Sequence, residues 1–305
     1  MTPLPLVSII IATKDRAFFL PKTLTAVTQQ DYPNYEVIVV DNGSTDETRA
    51  VVSRYQAKYI YCAGNGIGIA RKNGVEKAKG EIITFCDDDC IPHQDWVSKL
   101  VQRFTAEVHL GLVNGLVNNI GGVGKGRGKI GKNGMTYYVE DPNDADYFGN
   151  ANLAFLKQVY DTVGGYDPFF SVGYEEIDLA LRFKQKGYQQ VYEPLAVVDH
   201  YFTGISHKRR WFYCHSLMRL YFYLKHFPPK TVIQWLNFFR YEFYLLLKDI
   251  ARSIKRIGKI LLPARGAKRE KVNDIFLDLF NAVLARLAIP FLWLKLRYSK
   301  TITDK

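Results

Sequence analysis

The sequence predicts an α/β fold: a doubly wound, mostly parallel sheet followed by a helical, aromatic and basic C-terminal extension. Three observations predict it. Short, β-branched apolar runs alternate with helical patterns through the first hundred residues. Each run is apolar at consecutive positions, the mark of a strand covered on both faces. The charge divides sharply as well. Residues 1–202 carry 20 Lys and Arg against 24 Asp and Glu, whereas residues 203–305 carry 21 against 6. The boundary gives two regions, 1–202 and 203–305.

VSIII (7–11) is the first strand. No basic segment precedes it and it runs directly into Lys14 and Asp15, so it reads as a buried strand rather than a signal peptide. A helical pattern follows over about 17–30, then a second strand, EVIVV (36–40). Ser44, Thr45, Asp46 and Glu47 offer caps and favourable charge to a helix over about 45–56. A third helical pattern, about 68–79, is stopped by Gly80 before the strand EIITF (81–85). Strand, helix and strand in succession give right-handed βαβ units.

Residues 121–134, GGVGKGRGKIGKNG, predict a mobile loop or hairpin tip. The alternation then resumes with a helix near 157–163, a turn at Gly164-Gly165, a helix near 176–186 and a strand near 189–198 ending in Asp199-His200. After about Thr203, aromatic and basic residues interleave through long helical stretches broken at Pro228-Pro229, Pro263–Gly266 and Pro290. Four cysteines in 305 residues exclude a disulfide scaffold, and 48% hydrophobic residues exclude global disorder. No uncharged apolar run reaches about 18 residues, so no ordinary spanning helix is expected.

In open α/β sheets, ligands bind outside the carboxyl ends of the strands. That rule selects Ala12–Arg16, Asp41–Asp46 and Cys86–Cys90. Asp87-Asp88-Asp89 places three carboxylates in a row, which repel one another unless a positive charge joins them. A hard divalent cation, Mg²⁺ or Mn²⁺, meets that need through oxygen ligands. The alternative is a solvated acidic turn capping a helix that begins near Pro92. In Asp41–Asp46, Gly43 permits close backbone approach, while Asp and Asn can hydrogen-bond a base or ribose. An EF-hand is excluded there, because Asp46 stands where Gly is required and Val52 where Glu is.

GNGIGIARKNG (64–74) fits neither the P-loop nor the dinucleotide fingerprint. Arg71 and Lys72, in the first turns of the following helix, can hold a diphosphate there or stand solvated. Glu175-Glu176-Ile177-Asp178 opens a helix, where acids are favourable in any case. One of these carboxylates can also serve as general base for a hydroxyl nucleophile. His200 reads as a ligand, an acid/base group or a structural histidine. Cys86, Cys90 and His93 lack a fourth ligand and the spacing of a zinc site.

Taken in order, VSIIIATKDR (7–16), VIVVDNGSTDET (37–48), GIGIARKNGVEKAKGEIITFCDDD (66–89), GGYDPFF (164–170) and EEIDLALRFKQKGY (175–188) resemble the inverting family 2 glycosyltransferases of GT-A fold. The resemblance covers about residues 5–202, and rhamnosyltransferases are among the enzymes it brings in. It implies a nucleotide-diphospho-sugar donor, Mn²⁺ or Mg²⁺, and a glycan or lipid-linked acceptor in polysaccharide or glycolipid synthesis. It implies that Ala12, Thr13, Asp41 and Asn42 line the nucleobase pocket, although many members carry two acids where this chain has Asp41-Asn42. Arg71 then touches the nucleotide. Asp87, Asp88 and Asp89 form the DXD segment, with Asp87 nearer the ribose and Asp89 on the metal. Glu176 falls at the position of the catalytic base, with Glu175 and Asp178 as alternatives. His200 falls where some members have a further metal ligand. Trp96, Phe148, Asn150 and Tyr166–Phe170 are acceptor-side candidates.

The C-terminal third has its own signature. ARSIKRIGKILL (251–262) pairs an apolar face with a Lys/Arg-rich one, the pattern of an interfacial helix. The basic excess adds attraction to anionic lipid. Residues 275–294 contain Asp278, Asn281 and Arg286, so they read as interfacial or packed rather than spanning. The expectation is a cytoplasmic enzyme peripheral to the inner face of the cell membrane that binds no nucleic acid. A packed bundle with a solvated basic face is the plainer alternative. Two further functions compete: a non-enzymatic basic module binding nucleic acid or membrane through 203–305, and a nucleotidyltransferase. The second lacks its Gly-rich Lys/Arg loop near the N-terminus.

Overall fold

The computed structural model describes residues 3–63, 66–107, 109–120, 126–201, 208–261 and 272–303. The chain forms two compact units, Met1–Ile130 with Thr136–Gly204 and Gly131–Met135 with Ile205–Lys305.

The first unit is built on an eight-stranded sheet. In chain order its strands are β1 (Val7–Thr13), β2 (Tyr35–Asp41), β3 (Lys58–Tyr61), β4 (Ile82–Cys86), β5 (Cys90–Pro92), β6 (Leu110–Ile120), β10 (Asn152–Leu156) and β11 (Gln189–Tyr201). Their spatial order is β3-β2-β1-β4-β10-β6-β11-β5. β10 runs antiparallel to both neighbours and β5 antiparallel to β11, while the other adjacent pairs are parallel. A second, three-stranded sheet joins β7 (Arg127–Ile130), β8 (Thr136–Tyr138) and β9 (Tyr147–Phe148).

Alternation explains the uninterrupted apolar runs. Successive side chains on a strand point to opposite faces. Ile9, Ile11, Val37 and Val39 enter one core with Leu20, Leu24 and Val27 of α1 (Leu20–Val27) and Val97 and Leu100 of α4 (Trp96–Ala106). Ile10, Ile38 and Val40 enter the other with Ala70 and Val75 of α3 (Ile67–Lys77) and Leu179 and Phe183 of α6 (Glu175–Gln185). Full burial of one such side chain contributes roughly 1.5–3 kcal/mol, which forces two-sided coverage. The short helices α2 (Thr48–Val52) and α5 (Lys157–Thr162) complete the layers.

Several expectations need correction. β3 was not visible as a strand, because KYIY is half-exposed at the sheet edge. The segment after the acidic run is strand β5, and the helix starts only at Trp96. α3 ends at Lys77, three residues before Gly80. Gly80 serves close packing instead: its N–H donates to Ser8 Oγ at 2.9 Å, and a Cβ would lie 2.6 Å from the Ser8 nitrogen. Of the Gly-rich segment, 121–125 lies outside the described residues. Its remainder makes the β7–β8 hairpin, with Asn133 buried at the tip in a left-handed conformation (φ 48°).

The second unit is helical: α7 (Lys208–His226), α8 (Val232–Leu261), α9 (Val272–Leu287) and α10 (Ile289–Thr303), with the tip Gly131–Met135. Breaks fall at Pro228-Pro229 and beside Pro290, where a missing N–H does least harm. The Pro263–Gly266 break lies outside the described residues. Among the described residues no single helix is long and apolar enough to cross a membrane. Ile275–Leu287 and Ile289–Arg297 together are, by length and composition, with a 41° bend between them.

Candidate active site

Register gathers the site at one edge of the sheet. Thr13, at the end of β1, lies opposite Asp41, at the end of β2. Because β10 runs backwards, its first residue Asn152 lies opposite Cys86, which brings Asn150 to the end of β4. β11 ends beside β5 with His200 opposite Cys90, so the imidazole reaches the acidic run.

The first two loops brace each other. The Asp15 N–H donates to Ser44 Oγ at 2.9 Å, and the Thr45 N–H donates to Asp15 Oδ1 at 2.7 Å. Ser44 and Thr45 therefore tie two loops together rather than cap α2, and of the expected caps Asp46 alone receives a helix N–H, that of Thr48. Asp41 is buried and held: Oδ1 accepts the Ser44 N–H at 2.8 Å and Oδ2 accepts the Tyr59 hydroxyl at 2.7 Å. Burial and that carboxylate push Tyr59 up to about 12. Asn42 donates its N–H to the Thr13 carbonyl at 2.8 Å, and its buried Oδ1 has no partner. A buried acceptor left open is costly. It suits an N–H such as a nucleobase carries. Ala12 and Thr13 form the floor between these loops.

The acidic run is a charge cluster with identifiable counter-charges. Asp88 and Asp89 are buried, and Asp87 is more open. Arg16 lies 3.7 Å from a carboxylate oxygen of each of Asp88 and Asp89. His200 Nε2 lies 3.1 Å from Asp89 Oδ1. Burial is the largest influence on Asp88 and pushes it up to about 7, against the Thr13 hydroxyl and Arg16. That hydroxyl faces the carboxyl without closing a bond of ordinary geometry. His200 is raised, first by its hydrogen bond to Asp89.

Asp89, Cys90 and His200 offer ligand atoms within 4.8 Å of one another. The Cys90 thiol is pushed well above its ordinary value, first by its hydrogen bond to Cys86 and then by burial. His200 Nδ1 lies 3.0 Å from Asn119 Oδ1, which accepts when that nitrogen carries the proton. Nε2 then carries a second proton for Asp89 or turns its lone pair to a cation. The carboxylates suit Mg²⁺ or Mn²⁺, while the imidazole is a ligand that zinc also accepts. His93 faces Asp199 at 3.4 Å instead.

Across the cleft edge, Arg71 organises the acids. It is buried, with Nη2 donating to Asp87 Oδ1 at 2.8 Å and Nη1 to Glu175 Oε1 at 2.6 Å. These two anions outweigh burial and raise the guanidinium further above its ordinary value. Asn150 donates to the same Glu175 oxygen at 3.2 Å and accepts the Tyr166 hydroxyl at 3.0 Å. The α3 start fits against residues 170–171: a Cβ on Gly66 or Gly68 would lie 2.4 or 2.1 Å from a carbonyl oxygen there. Tyr174, left-handed at φ 69°, precedes the two glutamates and is a strained position of the kind that collects at working sites.

The three candidate bases differ in what holds them. Glu175 Oε1 accepts from Arg71 and Asn150, while its Oε2, like that of Glu176, is buried without a hydrogen-bond partner. Asp178 is fully buried and chelated by Arg182 at 2.9 and 2.6 Å, and Arg182 also reaches the Val163 and Gly165 carbonyls. Asp178 thus fastens α6 to the Gly164-Gly165 turn and does not reach the cleft. Glu176 is partly exposed, and burial foremost, then Glu175, pushes it up to about 8. Trp96, expected at the acceptor side, lies wholly in the core with its indole N–H on Asn152 Oδ1 at 2.8 Å.

Sequence reasoning selected Asp15 and Arg16 by position, within Ala12–Arg16, without a role for either, and passed over Tyr59. Tyr59 is on the unforeseen edge strand.

The model of the family described as Glycosyl transferase family 2 matches residues 8–164. Glycosyltransferase AglE of Haloferax volcanii is 40% identical over 110 residues, which are 33% of this chain and 36% of that protein. A Campylobacter jejuni protein named GalNAc(5)-diNAcBac-PP-undecaprenol beta-1,3-glucosyltransferase is 33% identical over 107 residues, 33% of this chain and 35% of that one. The chain therefore spans about a third of the length of these curated relatives. Among solved structures, the mannosyltransferase PcManGT from Pyrobaculum calidifontis, in complex with GDP-Man and Mn²⁺, has a TM-score of 0.55 at 20% identity, covering 100% of this chain and 89% of that one. S. aureus TarS has the same TM-score at 15% identity, covering 75% and 41%. Both likenesses show the GT-A fold. Neither the non-enzymatic module nor the nucleotidyltransferase survives the family match.

Proposed function

This chain belongs to glycosyltransferase family 2, and from that premise we propose that it moves a hexosyl or deoxyhexosyl unit, with inversion and metal assistance, from a nucleotide-diphospho-sugar to a hydroxyl of a glycan or lipid-linked acceptor at a membrane surface. One observation carries the reading. A single guanidinium, Arg71, ties the acidic run at Asp87 to Glu175, the neighbour of Glu176. The acids that face a departing diphosphate and the acid that faces an incoming hydroxyl are thereby fixed with respect to each other.

Asp89, Asp87 and His200 are the residues that would hold the divalent ion, which supplies positive charge to the leaving diphosphate. Asn42 and the braced loops take the base and ribose. Glu176, with a pKa near 8, matches the work of a general base close to neutral pH. Its carboxylate takes the acceptor proton as the hydroxyl oxygen bonds to the anomeric carbon. The old anomeric C–O bond breaks on the opposite side and its electrons stay on the diphosphate, so the configuration inverts.

The helical unit supports the membrane setting. On α8, Val232, Leu236, Phe243, Leu247 and Ile254 recur at helical spacing and are exposed, Val232 at 75% and Ile254 at 65%. Away from that stripe the helix buries Phe238 at 1%, Glu242 at 2% and Ser253. A helix in water turns its apolar stripe inward, and a contiguous exposed stripe marks an interface. An anionic lipid surface satisfies both the stripe and the basic excess of this region.

A panel of nucleotide-sugars, scored for thermal stabilisation and release of nucleoside diphosphate with Mn²⁺ or Mg²⁺, tests the proposal. One uridine-, thymidine- or guanosine-linked donor should stabilise the protein, and Asp89→Ala should abolish the effect. Stabilisation that survives Asp89→Ala would sink metal-assisted binding.

A further inference from the structure

α9 and α10 are apolar on both sides. The inward side, with Ile275, Ala282, Ala285, Ile289, Leu292 and Leu296, is buried within the helical unit. The outward side is no more polar. From Phe276 to Leu294 every exposed position is apolar: Phe276, Leu277 and Phe280 on α9, Leu287 before the break, and Pro290, Phe291 and Leu294 on α10. Leu287 is 70% and Phe291 68% exposed. The polar residues of the stretch are kept off that face. Asp278 pairs with Arg256 at 2.9 Å. Arg286 lies 3.2 Å from Asp249 and 3.5 Å from Glu242, and it donates to the Ala282 carbonyl at 2.8 Å. Asn281 is half-buried. The backbone at the break is satisfied as well. The Ala288 N–H donates to the Leu284 carbonyl at 3.1 Å and the Leu292 N–H to the Ala288 carbonyl at 2.9 Å, while Pro290 has no N–H to leave open.

The face continues onto α8. Trp293 of α10 meets Trp235 of α8 edge-on at 6.1 Å, and Trp235 stacks on Phe239 at 5.5 Å. The exposed Val232, Leu236 and Phe239 extend the face from there. Past Leu294 the exposed side chains turn basic, with Lys295 and then Arg297, which lies over the Trp293 ring at 4.1 Å.

We infer that this face is buried in the hydrocarbon of a membrane, so that α9, α10 and the start of α8 hold the chain there independently of charge. The inference rests on the membrane-surface reading above and deepens it by naming the segment and the part of the lipid it meets. A helix that is apolar all round needs cover on every side, and water supplies none. Interfaces between proteins carry about one hydrogen bond per 100–200 Å², whereas the exposed side chains from Phe276 to Leu294 offer no donor or acceptor. Hydrocarbon asks for none. Tryptophan with Lys and Arg at the edge of an apolar face is the pattern of a membrane–water boundary.

The test uses the full chain and flotation with vesicles of phosphatidylcholine alone in about 1 M NaCl, where the Debye length is about 3 Å and attraction through charge is lost. Wild type should stay bound. Leu287→Ser/Phe291→Ser should weaken that binding roughly tenfold or more, while Arg252→Ser/Lys255→Ser, at exposed basic positions of α8, should leave it unchanged. Equal weakening by both pairs overturns the inference. Wild type that binds anionic vesicles at low salt and leaves them in the high salt keeps the membrane-surface reading and overturns this one. Wild type that binds neither kind of vesicle overturns both. A lipid-free dimer, seen by light scattering, that Leu287→Ser/Phe291→Ser turns into a monomer with vesicle binding unchanged assigns the face to a second copy and overturns the lipid. The Tm of the double variant without vesicles should match that of wild type, and Phe280→Ser, also at an exposed position, repeats the comparison if the double variant does not fold.

Discussion

Ile9, Ile11, Val37 and Val39 fill the inside of the first unit, and its buried carboxylates crowd the strand ends where chemistry is expected. In the helical unit Arg219 and Glu242 are inside, while Val232, Leu236 and Ile254 face outward. Both arrangements come from amphipathic segments with regular apolar spacing. Periodicity says that two faces differ; it does not say which face meets water. The surroundings decide. A sheet between helix layers draws apolar chains to itself, whereas a helix beside lipid can leave them outside. The contrast also separates two uses of buried charge. In the first unit a carboxylate such as Glu176 is left without a partner and strained in its ionisation. In the helical unit Glu242 has every oxygen engaged.

The largest expected effect tests that difference in use. Glu176→Gln keeps the shape of the side chain and removes the base. Transfer should fall by roughly 10²–10⁴-fold with donor affinity retained, measured by single-turnover transfer and by donor titration. Full transfer by this variant would move the base elsewhere. Glu242→Ala is the opposite case. It leaves Arg219 and Arg286 buried without their carboxylate and should cost about 3–5 kcal/mol of stability, read from urea unfolding. A Glu242→Ala protein as stable as wild type would erase the distinction between working and structural charge.

Legibility in the sequence follows the same division. The central strands were readable because VSIII, EVIVV and EIITF are buried on both faces and carry no competing pattern. The acidic run and Glu176 stood out as candidates because of their residue type and their position at a strand or helix end. What was not readable depends on contacts between distant segments. Nothing local says that Ser44 and Thr45 hold Asp15 instead of capping a helix, that Arg71 is buried between Asp87 and Glu175, or that Asp178 belongs to Arg182. Trp96 failed for a related reason: a large aromatic with one N–H serves a core as readily as a cleft, and Asn152 decides. In the C-terminal third the amphipathic pattern was visible over 251–262, where an interfacial helix is expected, while the exposed positions Val232, Leu236, Phe243 and Leu247 earlier on α8 were not singled out.

The outward stripe gives the next effect in size. Leu236→Ser, Phe243→Ser and Ile254→Ser in one protein remove apolar groups that the fold itself does not bury. Each should change stability by no more than about 0.5 kcal/mol. Vesicle binding should fall by tenfold or more, because lipid burial of each side chain contributes a fraction of the roughly 1.5–3 kcal/mol of full burial. A large loss of Tm with unchanged vesicle binding would show that the stripe is packed, and the comparison between the units would fail.

The smallest effect sharpens the comparison through pH. Glu176 binds its proton more tightly folded, near 8, than at its ordinary 4.5. Between those values the unfolded chain has already released the proton, so the contribution of Glu176 to stability is present below about 4.5 and is lost as pH rises toward 8. His215 behaves in the opposite sense. It is pushed from 6.5 down to about 4, so the unfolded chain takes up a proton first and stability is lost as pH falls from 6.5 toward 4. Tm measured from pH 4 to 9 should therefore flatten on the alkaline side in Glu176→Gln and on the acid side in His215→Gln. The two variants then report on opposite limbs of one stability curve because a strained acid lies in the first unit and a strained base in the helical one. Should both substitutions flatten the same limb, one of the two charge environments has been assigned the wrong sign.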